Sequence, residues 1–182
     1  RSHELLSRGN SRLLVIDVQT KLLPHIHDSS EVIERCRQLV LGAKTLGVPT
    51  GATEQYPKGL GPTVTELAPH LPSPIEKLTF SAMPVLDWNI SNDADRYQVV
   101  ICGVEAHVCV LQTAYDLIAS GFRVYLPVDA VGSRHQRDRD TAVERLSAAG
   151  ATICTTESVL FEWCETAAAV EFKAISQLVT GR

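Results

Sequence analysis

The sequence predicts a single α/β domain built around a mainly parallel sheet of about six strands, with helices covering both faces. Three observations lead to this fold class. The chain has 182 residues, which is the length of one domain. Hydrophobic residues make up 45% and charged residues 21%, close to the average for soluble globular proteins. Short β-rich runs alternate with helical patterns along the chain, as they do in repeated βαβ units.

The first half of the chain contains three predicted strands and one clear helix. The run Leu13–Val18 is almost continuously apolar, which is typical of a strand buried on both faces. Apolar residues at intervals of three and four then predict an amphipathic helix from about Ser29 to Gly47. Strand character resumes over Val48–Thr53, and a short strand is predicted at Ile75–Leu78.

The second half continues the same alternation up to the last helical segment, which ends near Leu178. Helices are predicted over Met83–Ile90, Ala106–Ser120 and Arg137–Ala149, and strands over Gln98–Cys102, Phe122–Val128 and Ala151–Thr155. We assign residues 1–11 to a flexible N-terminus and residues 12–182 to the domain. A parallel sheet of this kind places its site beyond the carboxyl ends of its strands, which is where chemistry is expected.

Charge argues against nucleic-acid binding without excluding a local basic patch, and hydropathy argues against a membrane protein. Lys and Arg total 17 and Asp and Glu total 21, so the net charge is −4 and no overall field attracts a phosphate backbone. No apolar run approaches the ~18 residues of a membrane span. We therefore expect a small-molecule substrate, with neither nucleic acid nor membrane as a partner.

The five cysteines indicate reduced thiols. Their number is odd, their spacings include no C-x-x-C, and a chain of this size needs no disulfides. This usage indicates an intracellular compartment, cytoplasmic or mitochondrial, and it argues against zinc. His25 and His27 form an H-x-H pair without a third ligand at a telling spacing, so we interpret them as solvated or capping residues.

Three polar side chains follow different predicted strands. Asp17 closes the first, Lys77 ends the short third, and Cys109 lies six residues after Gly103, one turn into a helix. Taken alone, Asp17 is as easily a cap, Lys77 a solvated lysine and Cys109 a small core residue. Together they would meet at one sheet edge, where a carboxylate can take the thiol proton and an ammonium can stabilise the thiolate. The helix N-terminus is expected to lower the pKa of Cys109.

This pattern resembles the isochorismatase-like cysteine hydrolase superfamily over residues 12–178. The matching features are D-x-Q after the first strand, a lysine after the third, and G-V-x-x-x-x-C-V at Gly103–Val110. The stretch TEQYPKGLGPT, Thr53–Thr63, is similar to the subgroup of isochorismatase-domain-containing proteins. The resemblance implies a three-layer α/β/α sandwich with a six-stranded, mainly parallel sheet.

The resemblance also implies roles for individual residues. Asp17 would be the general base, Lys77 its electrostatic partner and Cys109 the nucleophile. A cis peptide bond at Val104–Glu105 would direct the amides of Glu105 and Cys109 at an oxyanion. Position in the loops adds substrate-binding candidates: Gln19, Leu22, Tyr56, Phe80, Val104 and Glu105.

The predicted reaction is cleavage of a C–N bond in a small amide, ureido compound or imide through a thioester. The stretch Ala52–Tyr56, ATEQY, lacks the Asp-x-His pair of nicotinamidases, so we expect no metal and no cofactor. Two alternatives stay open: a mitochondrion-associated ribonuclease, and a non-catalytic interaction protein on the same fold. The run Arg134–Asp140 mixes both charge signs, which favours a solvated helix start over an RNA patch. Exposed helices and family habit predict a homo-oligomer.

Overall fold

The protein is an α/β/α sandwich around a parallel sheet. The computed structural model describes residues 1–88 and 94–181. Within these residues, six strands pair side by side in the order β3-β2-β1-β4-β5-β7, and the short β6 pairs with β4. The pairings between these strands are parallel. The strands are β1 (Ser11–Ile16), β2 (Thr50–Gln55), β3 (Ile75–Lys77), β4 (Gln98–Val104), β5 (Arg123–Pro127), β6 (Val131–Gly132) and β7 (Thr152–Cys154).

Helices cover both faces of the sheet. They are α1 (Ser29–Leu46), α2 (Pro57–Leu60), α3 (Leu111–Ala119), α4 (Gln136–Ala148), α5 (Thr156–Cys164) and α6 (Phe172–Thr180). Residues of α1, α5 and α6 share one hydrophobic cluster with Leu13 and Val15 of β1. Residues of α3 and α4 share the other with Leu14 and Ile16. Because successive strand residues point to opposite faces, the continuous apolar run of β1 supplies both layers of the core.

The predicted elements are found, with shifted ends and one exception. Most strand and helix boundaries move by one or two residues, as frayed termini do. The predicted helix Met83–Ile90 is instead a single 3₁₀ turn, Met83–Val85, and residues 89 and 90 lie outside the described residues. Met83 begins this turn and Pro84 is its second residue, and Leu86 follows in extended conformation with its side chain buried in the core.

The N-terminal segment is packed against the domain over much of its length, although we expected it to be flexible. Leu6 is fully buried, and its N–H donates to the Glu162 carboxylate at 2.7 Å. The N–H of Ser7 donates to the Gln98 side chain at 2.9 Å. Ser11 already belongs to β1. The buried Leu6 and these hydrogen bonds connect the segment before β1 to the domain, and the flexibility of residues 1–11 stays a prediction.

Gly103 allows the end of β4 to pass close beside β1. Its φ is +114°, and a Cβ atom there would overlap the carbonyl oxygen of Ile16. A glycine is therefore required where the two central strands approach the candidate site. None of the helices formed by the described residues is long and apolar enough to cross a membrane.

Candidate active site

Asp17 and Lys77 form a buried ion pair at the carboxyl edge of the sheet. Asp17 follows β1 with a φ of +51°, so the chain turns there, and Lys77 is the last residue of β3. The Lys77 Nζ lies 2.7 Å from Asp17 Oδ2, and both side chains are inaccessible to solvent. A buried carboxylate and ammonium are tolerated in this way only when they are paired and hydrogen-bonded.

Lys77 is surrounded by oxygen acceptors. Besides Asp17, its Nζ donates to Gln55 Oε1 at 2.7 Å, to the carbonyl of Phe80 at 3.0 Å and to that of Thr79 at 3.3 Å. Four acceptors share the three protons of one ammonium. The environment therefore suits a protonated lysine held in a fixed position.

The Asp17 carboxylate is held from its other side by Thr53. The Thr53 hydroxyl donates to Asp17 Oδ1 at 2.7 Å, and the Asp17 N–H donates to the carbonyl of Thr53 at 3.2 Å. Each carboxylate oxygen thus has one short hydrogen bond, to a different donor. Since an ionised carboxylate accepts about four hydrogen bonds, capacity remains for one more proton donor.

Cys109 lies in one π-helical turn, Ala106–Val110, that leads into α3. Its carbonyl accepts a 2.6 Å hydrogen bond from the Thr113 hydroxyl, and the residue is 6% exposed. The pKa of the Cys109 thiol is raised from 9.0 to about 12: burial is the largest cause, the charge and hydrogen bonding of Asp17 also raise it, and those of Lys77 lower it. The thiol therefore interacts with both members of the ion pair.

The expected lowering of the Cys109 pKa is wrong. The helix dipole is a modest and local influence, whereas removal of the thiol from water and the neighbouring negative charge of Asp17 both disfavour the thiolate. The sulfur is consequently a thiol at neutral pH. Asp17 is the carboxylate that acts on this thiol, and its role as proton acceptor stays a prediction.

The loop before Cys109 has the geometry that the resemblance implies. The peptide bond between Val104 and Glu105 is cis. The carbonyl of Glu105 accepts hydrogen bonds from the N–H groups of Val108 and Val110, at 3.0 and 3.2 Å. The Glu105 carboxylate lies 3.4 Å from the Arg134 Nε. The oxyanion role of the Glu105 and Cys109 amides stays a prediction.

The substrate-binding candidates fall into two groups. Gln19, Leu22 and Val104 are buried: the Gln19 amide bonds to the backbone of Gln55 and Gly61, and the other two lie in the hydrophobic core. Their side chains have structural partners, and their contact with substrate stays a prediction.

Tyr56 and Phe80 form the other group, and both are about half exposed. Tyr56 is 51% and Phe80 52% exposed. Tyr56 lines a largely apolar cleft of about 540 Å³ beside β3, together with Leu78, Pro84 and Val85. These exposed rings are available to a ligand, and their role in binding also stays a prediction.

His27, His107 and the charged run Arg134–Asp140 make hydrogen bonds or ion pairs with nearby side chains. His27 Nδ1 pairs with the Asp28 carboxylate at 3.0 Å on the surface, and His107 Nδ1 lies 2.9 Å from the Ser133 hydroxyl. Arg139 pairs with Asp140 at 3.0 Å at the start of α4. In the part of the chain that the structure describes, no three His, Cys, Asp or Glu side chains converge as metal ligands.

Thr53 and Gln55 belong to the hydrogen-bonded network, but the sequence pattern assigns neither of them a role. The signal that could have found them is their spacing. Residues two apart on a strand share one face, and both follow the middle of β2, between the strands that end at Asp17 and Lys77. The face of the sheet on which they lie depends on how β2 pairs with its neighbours, so the sequence of β2 alone does not predict it.

Comparisons with known proteins agree on one family. The Isochorismatase domain family matches residues 11–158. The chain is 40% identical to isochorismatase domain-containing protein 2 of Danio rerio over 175 residues, which are 96% of this chain and 89% of the relative.

Solved structures show the same fold. The MAR1 ribonuclease of Caenorhabditis elegans matches with a TM-score of 0.88 and 38% identity, over 96% of this chain and 92% of that one. YcaC of Pseudomonas aeruginosa, solved with hexane-2,5-diol and covalent acrylamide, matches with a TM-score of 0.86 and 26% identity, over 100% and 94%. YcaC of Escherichia coli, described as an octameric hydrolase of unknown specificity, matches with a TM-score of 0.78 and 25% identity, over 100% and 97%.

Proposed function

The chain belongs to the isochorismatase family, and we propose that it is a metal-independent cysteine hydrolase that cleaves a C–N bond of a small amide, ureido compound or imide. The observation that carries the proposal is the buried Asp17–Lys77 pair, 2.7 Å apart, whose two charges act on the Cys109 thiol. A carboxylate and an ammonium that act on one thiol form an activated nucleophile without histidine.

The reaction begins with proton transfer during attack. Asp17 takes the proton of Cys109 as the sulfur bonds to the substrate carbonyl carbon. The amides of Glu105 and Cys109 bind the resulting oxyanion. The tetrahedral intermediate collapses to a thioester, and the C–N bond breaks as protonated Asp17 gives its proton to the leaving nitrogen.

Hydrolysis of the thioester completes the cycle. Asp17 takes a proton from water while the water oxygen attacks the thioester carbonyl. The second tetrahedral intermediate releases the carboxylic acid product, and the Cys109 sulfur recovers its proton from Asp17. Lys77 stays protonated throughout and stabilises the negative charge that passes between the sulfur and the carboxylate.

The high pKa of Cys109 favours this coupled route over a preformed thiolate. With a pKa of about 12, on the order of one thiol in 10⁵ is ionised at neutral pH. An enzyme with so little thiolate needs the base at the moment of attack, which Asp17 supplies. Asp17 therefore has to act on Cys109 in the same step in which the sulfur attacks the substrate.

Two comparisons support the substrate class and the assembly. The structure of Pseudomonas aeruginosa YcaC contains a covalent acrylamide, which is a small amide, and this supports a small amide as the substrate of this chain. The octameric YcaC of Escherichia coli supports a homo-oligomer for this chain. Five free thiols fit a reducing compartment, the cytoplasm or the mitochondrion.

The proposal is tested by trapping an adduct on Cys109 during a screen of small amides. Mass spectrometry should find an acyl group on the Cys109 peptide, and Cys109→Ala should abolish turnover. Cys154→Ala, which removes a thiol on β7 outside the site, is the matched control and should keep activity. Turnover by Cys109→Ala would refute the covalent scheme.

A ribonuclease is the second candidate because the Caenorhabditis elegans neighbour is described as one. The net charge of −4 and the ion-paired Arg139 argue against a phosphate-binding surface. We expect no RNA binding in a titration at low salt. Salt-sensitive binding, with RNA cleavage that is lost in Asp17→Asn, would favour the nuclease.

A non-catalytic interaction protein is the third candidate. An inert scaffold needs no activated thiol, so fast and selective alkylation of Cys109 at neutral pH argues against it.

Light scattering on the purified protein measures the assembly independently of activity. A monomer at all concentrations tested would contradict the proposed homo-oligomer.

A further inference from the structure

The hydroxyl of Thr53 contacts the proposed general base directly. Resting on the proposed function, we propose that Thr53 is a positioning residue that fixes the Asp17 carboxylate in the orientation that accepts the Cys109 proton. Thr53 does not touch the reacting sulfur in this scheme. It acts through Asp17.

The two Asp17 oxygens are held from different sides. Thr53 Oγ1 donates to Oδ1 at 2.7 Å, and Lys77 Nζ donates to Oδ2 at 2.7 Å. Asp17 and Thr53 are at most 1% exposed, so bulk water does not compete for either oxygen. Two short hydrogen bonds to the two oxygens of one carboxylate oppose rotation of the carboxylate plane.

Lys77 by itself holds only one of these oxygens. Its Nζ is fixed by Gln55 and by the carbonyls of Thr79 and Phe80, so it cannot follow the carboxylate. With a single contact at Oδ2, the carboxylate would be free to pivot about that contact. The second contact has to come from Thr53.

The backbone holds Thr53 in register with Asp17. Ile16 pairs with Thr53 between β1 and β2, and the N–H of Asp17 donates to the carbonyl of Thr53. The same residue therefore contacts Asp17 through main chain and side chain. Because strand β2 fixes the backbone of Thr53, its hydroxyl gives a rigid second contact.

The proton transfer leaves both contacts in place. A carboxylate oxygen has two acceptor positions, and Thr53 and Lys77 each use one. A free position is left to accept the proton as the S–H bond of Cys109 breaks and an O–H bond forms on Asp17. With iodoacetamide as the electrophile, an S–C bond forms, iodide leaves, and no substrate needs to be known.

The test is the pH profile of iodoacetamide alkylation at Cys109, followed by peptide mapping. Alkylation assisted by Asp17 gives a rate that is independent of pH around neutrality, which we term the neutral plateau. Unassisted alkylation through free thiolate gives an alkaline limb that rises about tenfold per pH unit towards the pKa of about 12. The rate on the neutral plateau depends on the group that accepts the proton. The rate on the alkaline limb depends on how easily iodoacetamide reaches the sulfur.

Removal of the Thr53 hydroxyl should lower the alkylation rate on the neutral plateau and leave the rate on the alkaline limb unchanged. We expect Thr53→Val to lower the plateau about tenfold to a hundredfold, the range of a hydrogen bond to a charged group, with the alkaline limb unchanged. Thr53→Ala should do the same without placing a methyl group against the carboxylate. Thr53→Ser keeps the hydroxyl and should restore the plateau to within about threefold of the original protein.

Thr156→Val is the matched control. Thr156 is also fully buried, and its hydroxyl donates to an aspartate, Asp129, at 3.0 Å, but the pair lies at the start of α5. This variant loses a comparable hydrogen bond and should keep the neutral plateau. A plateau lowered equally by Thr156→Val would assign the effect to general loosening of the fold and overturn the proposal.

The experiment distinguishes failure of the proposed function from failure of the positioning role of Thr53. If the original protein shows no plateau, or if Asp17→Asn keeps it, Asp17 is not the base and the proposed function fails. If the plateau depends on Asp17 but Thr53→Val and Thr53→Ala leave it intact, only the positioning role of Thr53 is lost.

Discussion

Removal of the Asp17 charge should make Cys109 easier to ionise while it stops catalysis. The pocket raises the pKa of this thiol from 9.0 to about 12, which opposes the thiolate by about 4 kcal/mol. Burial is the largest cause and Asp17 the next, so Asp17→Asn removes only part of the effect. We expect the alkaline ionisation of Cys109 to move down by about one pH unit, the lower end of the range for a nearby charge.

Loss of the opposite charge should have the opposite effect. Lys77 lowers the pKa of Cys109, so Lys77→Met should move the ionisation up. The assay is the alkaline limb of iodoacetamide alkylation, mapped to the Cys109 peptide. Asp116→Asn, a carboxylate on α3 that is not among the charges acting on the thiol, is the control and should leave the limb unchanged.

The outcome separates ionisation from turnover. Asp17→Asn should carry more thiolate than the original protein and still fail to hydrolyse an amide, because the base is gone. If both variants move the alkaline limb in the same direction, or neither moves it, the electrostatic account of the pocket is wrong. Full turnover by Asp17→Asn would refute its role as base.

Three further predictions concern stability. Lys77→Met leaves the Asp17 charge buried without its partner and should lower the free energy of unfolding by about 3–5 kcal/mol in a urea titration; adding Asp17→Asn should recover most of the loss. Gly103→Ala should give no folded protein on expression because its Cβ overlaps backbone, whereas Gly150→Ala, also at positive φ but in open space, should cost only about 1–2 kcal/mol. Because folding raises the pKa of Cys109, its contribution to stability is complete below pH 9.0 and is lost as the pH rises towards 12; Cys109→Ala should flatten that alkaline loss in unfolding curves.

The layered fold could be predicted because its signals are local. The continuous apolar run of β1 predicts a strand with a helix layer on each face, and the two hydrophobic clusters are those layers. The helix stripe from Ser29 to Gly47 likewise predicts α1 and its end. Each of these patterns is complete within about 20 residues.

The errors arose where distant contacts outweigh a local pattern. Leu6 lies in a polar terminal segment, yet it is buried because Glu162 and Gln98 bind the adjacent backbone. The segment from Met83 forms only one 3₁₀ turn because Leu86 takes an extended conformation, and its side chain is buried in the core. Neither partner can be inferred from the local sequence.

The candidate site shows the same division. The sequence by itself predicted that a carboxylate and a lysine end two strands and that a cysteine begins the helix after a third, all at the carboxyl edge of one parallel sheet. It did not predict the 2.7 Å contact of Thr53 with Asp17 or the high pKa of Cys109. Residue type and position along the chain can be taken from the sequence directly. Hydrogen-bond geometry, desolvation and the field at a sulfur depend on atoms from several elements, so only the tertiary structure decides them.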